Sequence, residues 1–452
     1  MDRARLARLL EVLESGLVER RQVLRLSLLG ALAGEHTLLI GPPGTAKSAL
    51  ARRLHQAFDG ARYFERLLTR FSTPEELFGP LSLKALEHDR YERLTEGFLP
   101  TAGIAFLDEV FKANSAILNA LLTLLNEREF DNGSGRVPVP LISVVGASNE
   151  VPADEALAAF FDRFLLRVPV APVDEAHFAA LLALPPHSHT PLPRLAPELL
   201  PAWRAQAATV ALPEAVVARL VQARARCAGA GLTVSDRRWR KLVQLLRVQA
   251  ASRGAEAIGD ADLWVLPFVL ADRPEQVPGL VEDFLRDVGG AVPVDARWLD
   301  RAAEALARQW QIEASAPATA DDDSAGKLAL ARALGGAEAD TPLVRLVAEG
   351  ARRRYSPLHR DARLAQVAEV RTRAAQALAD VRAAAVQARA GLEGHPWLPP
   401  SWRARIEAVH VANESQLQAL CAELDEVHAG FAELPLDPAL GGPAPVPVTW
   451  SA

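Results

Sequence analysis

Cysteine is nearly missing from this chain of 452 residues: only Cys227 and Cys421 occur, far apart and each inside a helical, apolar pattern. That argues against a disulfide framework or a thiolate metal site and leaves both as core residues. Aromatic residues are scarce at 6%, while Ala, Leu and Arg abound in the second half, which predicts later domains built mostly of helix. No run approaches the roughly eighteen consecutive apolar residues of a membrane span, and no signal-like core follows the early charges Asp2, Arg3 and Arg5. The expectation is a soluble, cytoplasmic protein. Net charge is −6 with no long block of one sign, which argues against a nucleic-acid partner without excluding a basic face. No internal repeat is found.

Half of the residues are apolar, enough for sizeable cores, and the length predicts roughly three domains. The most informative stretch is His36 to Leu50, HTLLIGPPGTAKSAL. A short apolar run feeds a turn rich in Gly and Pro that ends in Lys47-Ser48 and enters a helical pattern. In a strand–loop–helix of this kind the successive N–H groups of Gly41, Pro42, Pro43, Gly44, Thr45, Ala46, Lys47, Ser48 and Ala49, Pro42 and Pro43 excepted, can close around phosphate oxygens at a helix N-terminus. Lys47 would serve the β- and γ-phosphates, and the Ser48 hydroxyl would serve Mg²⁺. Ala46 stands where the usual pattern has glycine. A small residue suffices there if its torsion is helical, because only a positive φ requires glycine. The alternative is a plain turn that happens to carry a lysine.

A second apolar run, Ile104 to Leu107, delivers Asp108-Glu109 at its C-terminal end, the edge where α/β sheets bind ligands. Asp108 can hold Mg²⁺, and Glu109, the next residue along, can polarise an attacking water. An acidic pair capping the next helix is the alternative. Leu141 to Val145 is another buried strand, leading to Asn149, whose amide can bond both the water and the γ-phosphate or can simply shape a turn.

Around these runs, residues 1–34 read as two helices interrupted at Gly16, and Tyr63 to Leu68 as a strand. Thr73 and Glu76 form a capping signature, Leu81 to Pro100 reads as a hairpin or loop insertion, and Ser115 to Glu127 as a helix. Phe130 to Pro140 reads as a hairpin with Asn132-Gly133 at its tip. Ala156 to Arg167 places Arg163 on a helix or its end, either as an ion-pair partner or as a finger reaching a neighbouring subunit. Pro185 to Pro201 is a proline-rich linker in which His187 and His189 lack a third metal ligand. From Ala202 to about Leu285 the pattern is helical; Ser235 reads as an N-cap, so Arg237 falls in a first helical turn, against the macrodipole. Aiming it from the lid into the nucleotide cleft would explain its position. Residues 314–326 read as a flexible linker, 358–432 as an antiparallel helical hairpin turning at Gly391 to Pro400, and Leu434 to Trp450 as an extended proline-rich tail.

The ordered set GPPGTAKS (41–48), FSTPEELFGP (71–80), FLDE (106–109), NEREF (126–130), ASNE (147–150), FDRF (161–164) and SDRRW (235–239) resembles the MoxR branch of AAA+ ATPases, most of all its RavA type. The resemblance covers about residues 1–285, and members of this type have Ala before the lysine. It implies an α/β nucleotide domain (1–185) with a parallel sheet flanked by helices, a helix-2 insertion at Leu81 to Pro100 and a pre-sensor hairpin at Phe130 to Pro140. An all-α lid (190–285) and a helical C-terminal region (286–452) follow. It further implies that Asn149 is sensor one, Arg163 the arginine finger and Arg237 sensor two. The implied activity is Mg²⁺-dependent ATP hydrolysis by a hexameric ring that remodels or matures protein complexes beside a von Willebrand factor A (VWA) domain partner. The β-rich insertion of the RavA type has no strand pattern here. A nucleic-acid motor is the alternative, weakened by a hairpin that offers only Arg128 and Arg136 with Asp131 near its tip. A nucleotide-binding scaffold without hydrolysis is disfavoured by the intact Asp108-Glu109 pair.

Overall fold

The computed structural model describes residues 3–133, 135–152, 154, 157–184, 193–317 and 352–450. They fall into two compact units, residues 1–289 with 391–403, and residues 290–390 with 404–452. His187 and His189, and most of the expected 314–326 linker, lie outside the described residues.

The first unit begins with helices α1 (Arg3–Glu14) and α2 (Arg21–Ala33) and enters β1 (His36–Ile40), which is buried along its whole length. α3 (Lys47–His55) and β2 (Tyr63–Leu67) follow, then two short helices, α4 (Pro74–Phe78) and α5 (Leu83–Leu86). β3 (Ile104–Asp108) leads into α6 (Ser115–Glu127), which matches the expected boundaries because Asn114 caps it and an apolar face runs from Ile117 to Leu125. The small hairpin β4 (Glu129–Asp131) and β5 (Arg136–Pro138) precedes β6 (Ser143–Ser148), α7 (Ala158–Phe161) and β7 (Phe164–Pro169).

Within the Ala156 to Arg167 stretch, expected as a helix or its end, α7 is that helix and Arg163 lies just past its end, whereas Phe164 to Arg167 form the start of β7 instead. The FLLRVP run is buried on both faces and shows no alternation, and the strand is favoured only because it completes the sheet beside β1. The five strands pair in parallel in the order β2-β3-β6-β1-β7. All five C-terminal ends therefore open on one edge. β6 lies between β1 and β3, so the phosphate-loop candidate, Asn149 and Asp108-Glu109 come side by side. Fully buried Leu107, Ile117, Leu121, Leu124, Val144 and Phe164 share one core cluster, each contributing about 2 kcal/mol by burial.

After α8 (Glu175–Leu182) the lid comprises α9 (Leu200–Ala207), α10 (Glu214–Gly229), α11 (Asp236–Ser252), α12 (Leu266–Leu270) and α13 (Val277–Asp287). Residues 391–403 belong with it, rather than serving only as the turn of the C-terminal hairpin. His395 accepts Leu398 N–H at Nδ1 and so donates from Nε2 to buried Asp262, 2.9 Å away; Trp397 Nε1 donates to Ser252 Oγ at 2.7 Å. Arg25 on α2 donates to Leu398 O at 3.0 Å.

The second unit packs α14 (Arg297–Ser315) against the long helices α15 (Pro357–Leu392) and α16 (Pro400–Ala432). Val367, Val370 and Ala374 of α15 meet Leu417, Leu420, Leu424 and Val427 of α16 at the expected coiled-coil spacing, with Leu299, Ala302 and Leu306 of α14 as third partner. α14 runs on to Ser315, into the stretch expected as linker. The extended tail is held on α15, where Arg363 donates to Val446 O and Gln366 exchanges hydrogen bonds with Val448.

Candidate functional site

At the C-terminal edge of the sheet, β1 runs into the Gly41–Ala46 turn. A side chain at Gly41 would collide with Val170 O, 2.0 Å from where its Cβ would stand, and Gly44 has φ +81. Ala46 also lies in the left-handed region, at φ +66. The condition under which a small residue would suffice, a right-handed helical torsion, is not met: the position has the conformation that glycine adopts freely, and Ala holds it at a cost of about 1 kcal/mol.

Ala46 stands at the N-cap of α3 but provides no side-chain cap, and no acidic residue occupies the first turn. α5, α6 and α11 start under Ser82, Asn114 and Ser235, whose side chains accept first-turn N–H groups, whereas α2, α8, α9 and α10, like α3, start without a side-chain cap. The free donors of α3 and its dipole thus face the turn with an unmet need for an anion. The donor set beside them fits a nucleotide with its metal: the Ser48 hydroxyl and the Asp108 carboxylate are hard oxygen ligands suited to Mg²⁺. The Lys47 Nζ donates to Gly41 O at 2.6 Å and Pro42 O at 2.9 Å. Burial lowers the Lys47 pKa, and the charges of Asp108 and Glu109 work in the opposite direction.

Lys47, Asn149 and Glu109 form one chain of contacts. Lys47 Nζ reaches Asn149 Oδ1 at 3.5 Å, and Asn149 Nδ2 donates to Glu109 Oε1 at 2.5 Å. Glu109 Oε2 is 3.3 Å from Lys112 Nζ, an ion-pair partner the sequence reading missed although a cation three residues on was there to be seen. Glu109 itself has φ +51, a third left-handed torsion at this edge, while Asp108 Oδ1 accepts the Glu109 N–H at 3.0 Å. Another missed residue is Arg20: buried, it donates to Thr45 O at 3.2 Å and Ala171 O at 2.6 Å, tying the turn to the segment after β7. No local pattern marks Arg20, because the Thr45 and Ala171 carbonyls it ties together are remote in sequence.

Arg163 and Arg237 are elsewhere. Arg163 directly precedes β7, whose first residue Phe164 pairs with His36 at the start of β1. Its Nε is buried without a hydrogen-bond partner, and no ion pair for it is found among the described residues. Arg237 donates to Asn126 Oδ1 at 2.6 Å, at the C-terminal end of α6. Beside it Lys241 bonds Glu35, and Arg128 bonds Gly34 O at 2.6 Å, with burial lowering the Arg128 pKa to about 10. His36 is buried there too, accepting Val144 N–H at Nδ1 and donating to Leu125 O, so it is neutral. Both arginines therefore stand at the N-terminal edge of the sheet, a five-residue strand or ~15 Å from the Lys47 edge. The lid docks α11 against the end of α6, so the first turn that carries Arg237 lies at the far edge of the sheet from Lys47 within one subunit.

The hairpin cations are also engaged: Arg128 on backbone carbonyls, and Arg136 on Glu127 at 2.5 Å and Glu129 at 3.7 Å.

Comparison with known proteins identifies the family. The family model of the MoxR domain in the MoxR-vWA-beta-propeller ternary systems matches residues 4–188, and that of an AAA lid domain matches residues 215–284. The chain belongs to the MoxR family of AAA+ ATPases. Similar sequences occur in the uncharacterized proteins MJ0812 and MJ0079 of Methanocaldococcus jannaschii. MJ0812 is 41% identical over 272 residues, 60% of this chain and 72% of the relative. MJ0079 is 41% identical over 269 residues, 59% of this chain and 70% of the relative. Structural protein ORF618 of Acidianus two-tailed virus is 32% identical over 167 residues, 35% of this chain and 26% of its own length. A crystal structure from Cytophaga hutchinsonii superposes with a TM-score of 0.50 at 17% identity, over 63% of this chain and 94% of its own, which supports the AAA+ fold alone. No helix among the described residues is long and apolar enough to cross a membrane.

Proposed function

We propose that this MoxR protein is a Mg²⁺-dependent ATPase whose active site is shared between neighbouring subunits of a ring, a hexamer. The observation that carries this reading is the division of the charged residues. Lys47, Ser48, Asp108, Glu109 and Asn149 gather at the uncapped start of α3, whereas Arg163 and Arg237 lie together at the opposite edge. One subunit binds the nucleotide through Gly41 to Ala49, with Ser48 and Asp108 holding the metal. Bound Mg²⁺ neutralises charge on the β- and γ-phosphates. Lys47 takes the β/γ-phosphate oxygens, Glu109 polarises the attacking water and Asn149 positions it. Arg163 and Arg237 reach that nucleotide only as contributions from the next subunit, where a guanidinium offsets the charge of the transition state.

The ring uses hydrolysis to remodel or mature protein complexes in the cytoplasm, together with a VWA-domain protein. The description of the matched MoxR domain, which places it in systems that also contain a vWA and a beta-propeller component, supports that partner. The RavA-type likeness rests on FSTPEELFGP and SDRRW. Engagement of both hairpin arginines with carboxylates or carbonyls speaks against a DNA-gripping hairpin.

The test pairs two measurements on a Glu109→Gln variant. Nucleotide binding is expected to persist while turnover falls by roughly 100-fold or more. Normal turnover would refute the assignment of Glu109. The same variant, used as a trap for a pull-down with ATP, is expected to retain a VWA protein.

A further inference from the structure

The turn that carries Arg163 and the helix that carries Arg237 are joined by a specific hydrogen-bonded contact. The Ser235 Oγ lies 3.1 Å from Asp162 Oδ1 and 3.2 Å from Oδ2, donating its proton to the carboxylate. The same oxygen accepts the Arg238 N–H at 3.3 Å as the N-cap of α11. Asp162 therefore sits at the positive end of a 17-residue helix, where a carboxylate is favoured. Arg163 follows Asp162 directly, and Arg237 follows Ser235 by two residues.

A second strut runs parallel to the first. Asp272 accepts from Arg167 of β7 at 2.5 Å and from Arg238 of α11 at 3.0 Å. Both guanidiniums are almost wholly buried. Arg167 also lies 3.7 Å over the Phe161 ring and donates to Phe161 O at 3.3 Å, which fixes the residue before Asp162. Burial, reinforced by the like charge of Arg238, lowers the Arg167 pKa to about 9; the shared Asp272, with Asp162 Oδ1 at 3.9 Å from Arg167, supplies the opposing negative charge.

We infer that Asp162 and Ser235 are positioning residues: their contact locks Arg163 and Arg237 into one unit, so that a neighbouring subunit's nucleotide phosphates meet both guanidiniums together or neither. This rests on the shared-site reading above. Neither residue touches nucleotide. Their effect is on the spacing of the two cations, and an error of about 1 Å in such a spacing is enough to cost rate heavily.

The experiment measures steady-state ATPase of the full chain with ATP and Mg²⁺ for Ser235→Asp, Ser235→Thr, Asp162→Ala and, as control, Arg163→Ala. Asp at 235 keeps an acceptor to cap α11 but cannot donate to Asp162 and sets a second carboxylate against it; Thr keeps both functions. Ser235→Asp and Asp162→Ala are expected to lose about ten-fold or more in kcat with KM for ATP little changed, and Ser235→Thr to retain wild-type turnover. Mixing Asp162→Ala with Lys47→Ala should restore activity, because each ring then contains intact edges facing each other. A variant that had merely lost its fold would not recover in such mixtures, and failure of Asp162→Ala to recover while Arg163→Ala does would overturn the proposal. So would wild-type kcat in both Ser235→Asp and Asp162→Ala beside an inactive Arg163→Ala, which leaves the shared site standing. Full activity of Arg163→Ala itself removes the shared site and this contact's role with it.

Discussion

Asn149 joins the two halves of the candidate catalytic edge: its Nδ2 donates to Glu109 while its Oδ1 faces the Lys47 ammonium. The amide is thus bonded at once to the group assigned to water and to the group assigned to phosphate. A nucleotide entering the turn competes for Lys47, which now rests on Gly41 O and Pro42 O, and the Asn149 amide is the direct route by which that competition reaches Glu109.

Replacing Asn149 by Ala should lower kcat by roughly 100-fold while nucleotide binding changes little, because the lost bonds orient groups rather than hold the ligand. Asn149→Asp should be no better, since it sets a carboxylate against Glu109. Equilibrium binding of a fluorescent nucleotide alongside steady-state turnover separates the two quantities. A proportionate loss of both would show that Asn149 acts in binding.

Ala46 gives a prediction of opposite sign. Its left-handed torsion means that Ala46→Gly removes strain, raising the stability of the first unit by up to about 1 kcal/mol, whereas Ala46→Val lowers it by more. Thermal or denaturant unfolding measures both. Equal stability of the three proteins would contradict the left-handed assignment.

Asp262 sets an acid limit on the lid. Burial works to raise its pKa, but the hydrogen bonds from His395 and Arg253 prevail and hold it at about 2, below the ordinary 3.8. A carboxyl group with its folded value depressed contributes stability that is complete above its unfolded pKa and is lost as pH falls through the folded one. The contribution should therefore disappear between about pH 4 and pH 2. Asp262→Asn should lose it at every pH, leaving Arg253 without its counter-charge and His395 without its anionic acceptor at a cost of about 3 to 5 kcal/mol. Fluorescence of Trp264 and Trp397, hydrogen-bonded to the neighbouring Gln249 and Ser252, is a suitable probe of the acid titration.

Much of this site was legible in the sequence because its signals are local. Strand, turn and helix around Lys47, the acidic pair ending β3, the Ser235 cap and the Asn132-Gly133 hairpin each depend on residues within a few positions of one another. β7 escaped because FFDRFLLR fits a helical period and a strand buried on both faces shows no alternation. The first-turn position of Arg237 is written in the sequence, whereas the docking of α11 on Asn126 and Glu35 depends on contacts between residues more than a hundred positions apart. The torsion of Ala46 has no sequence signal beyond the glycine expected there. The role of residues 391–403 was hidden for the same non-local reason: His395 and Trp397 find partners in α11 and beside it that no nearby spacing announces.

The central claim is that hydrolysis needs the Lys47 edge of one subunit and the Arg163 edge of the next. The most direct measurement is the ATPase rate of Lys47→Ala and Arg163→Ala, each inactive alone, after mixing across a range of ratios. Recovery that peaks at intermediate ratios is the predicted result, since mixed rings hold interfaces where an intact Lys47 faces an intact Arg163. A rate that stays at the level of the separate variants at every ratio, under conditions where exchange of subunits is verified, would contradict the shared site.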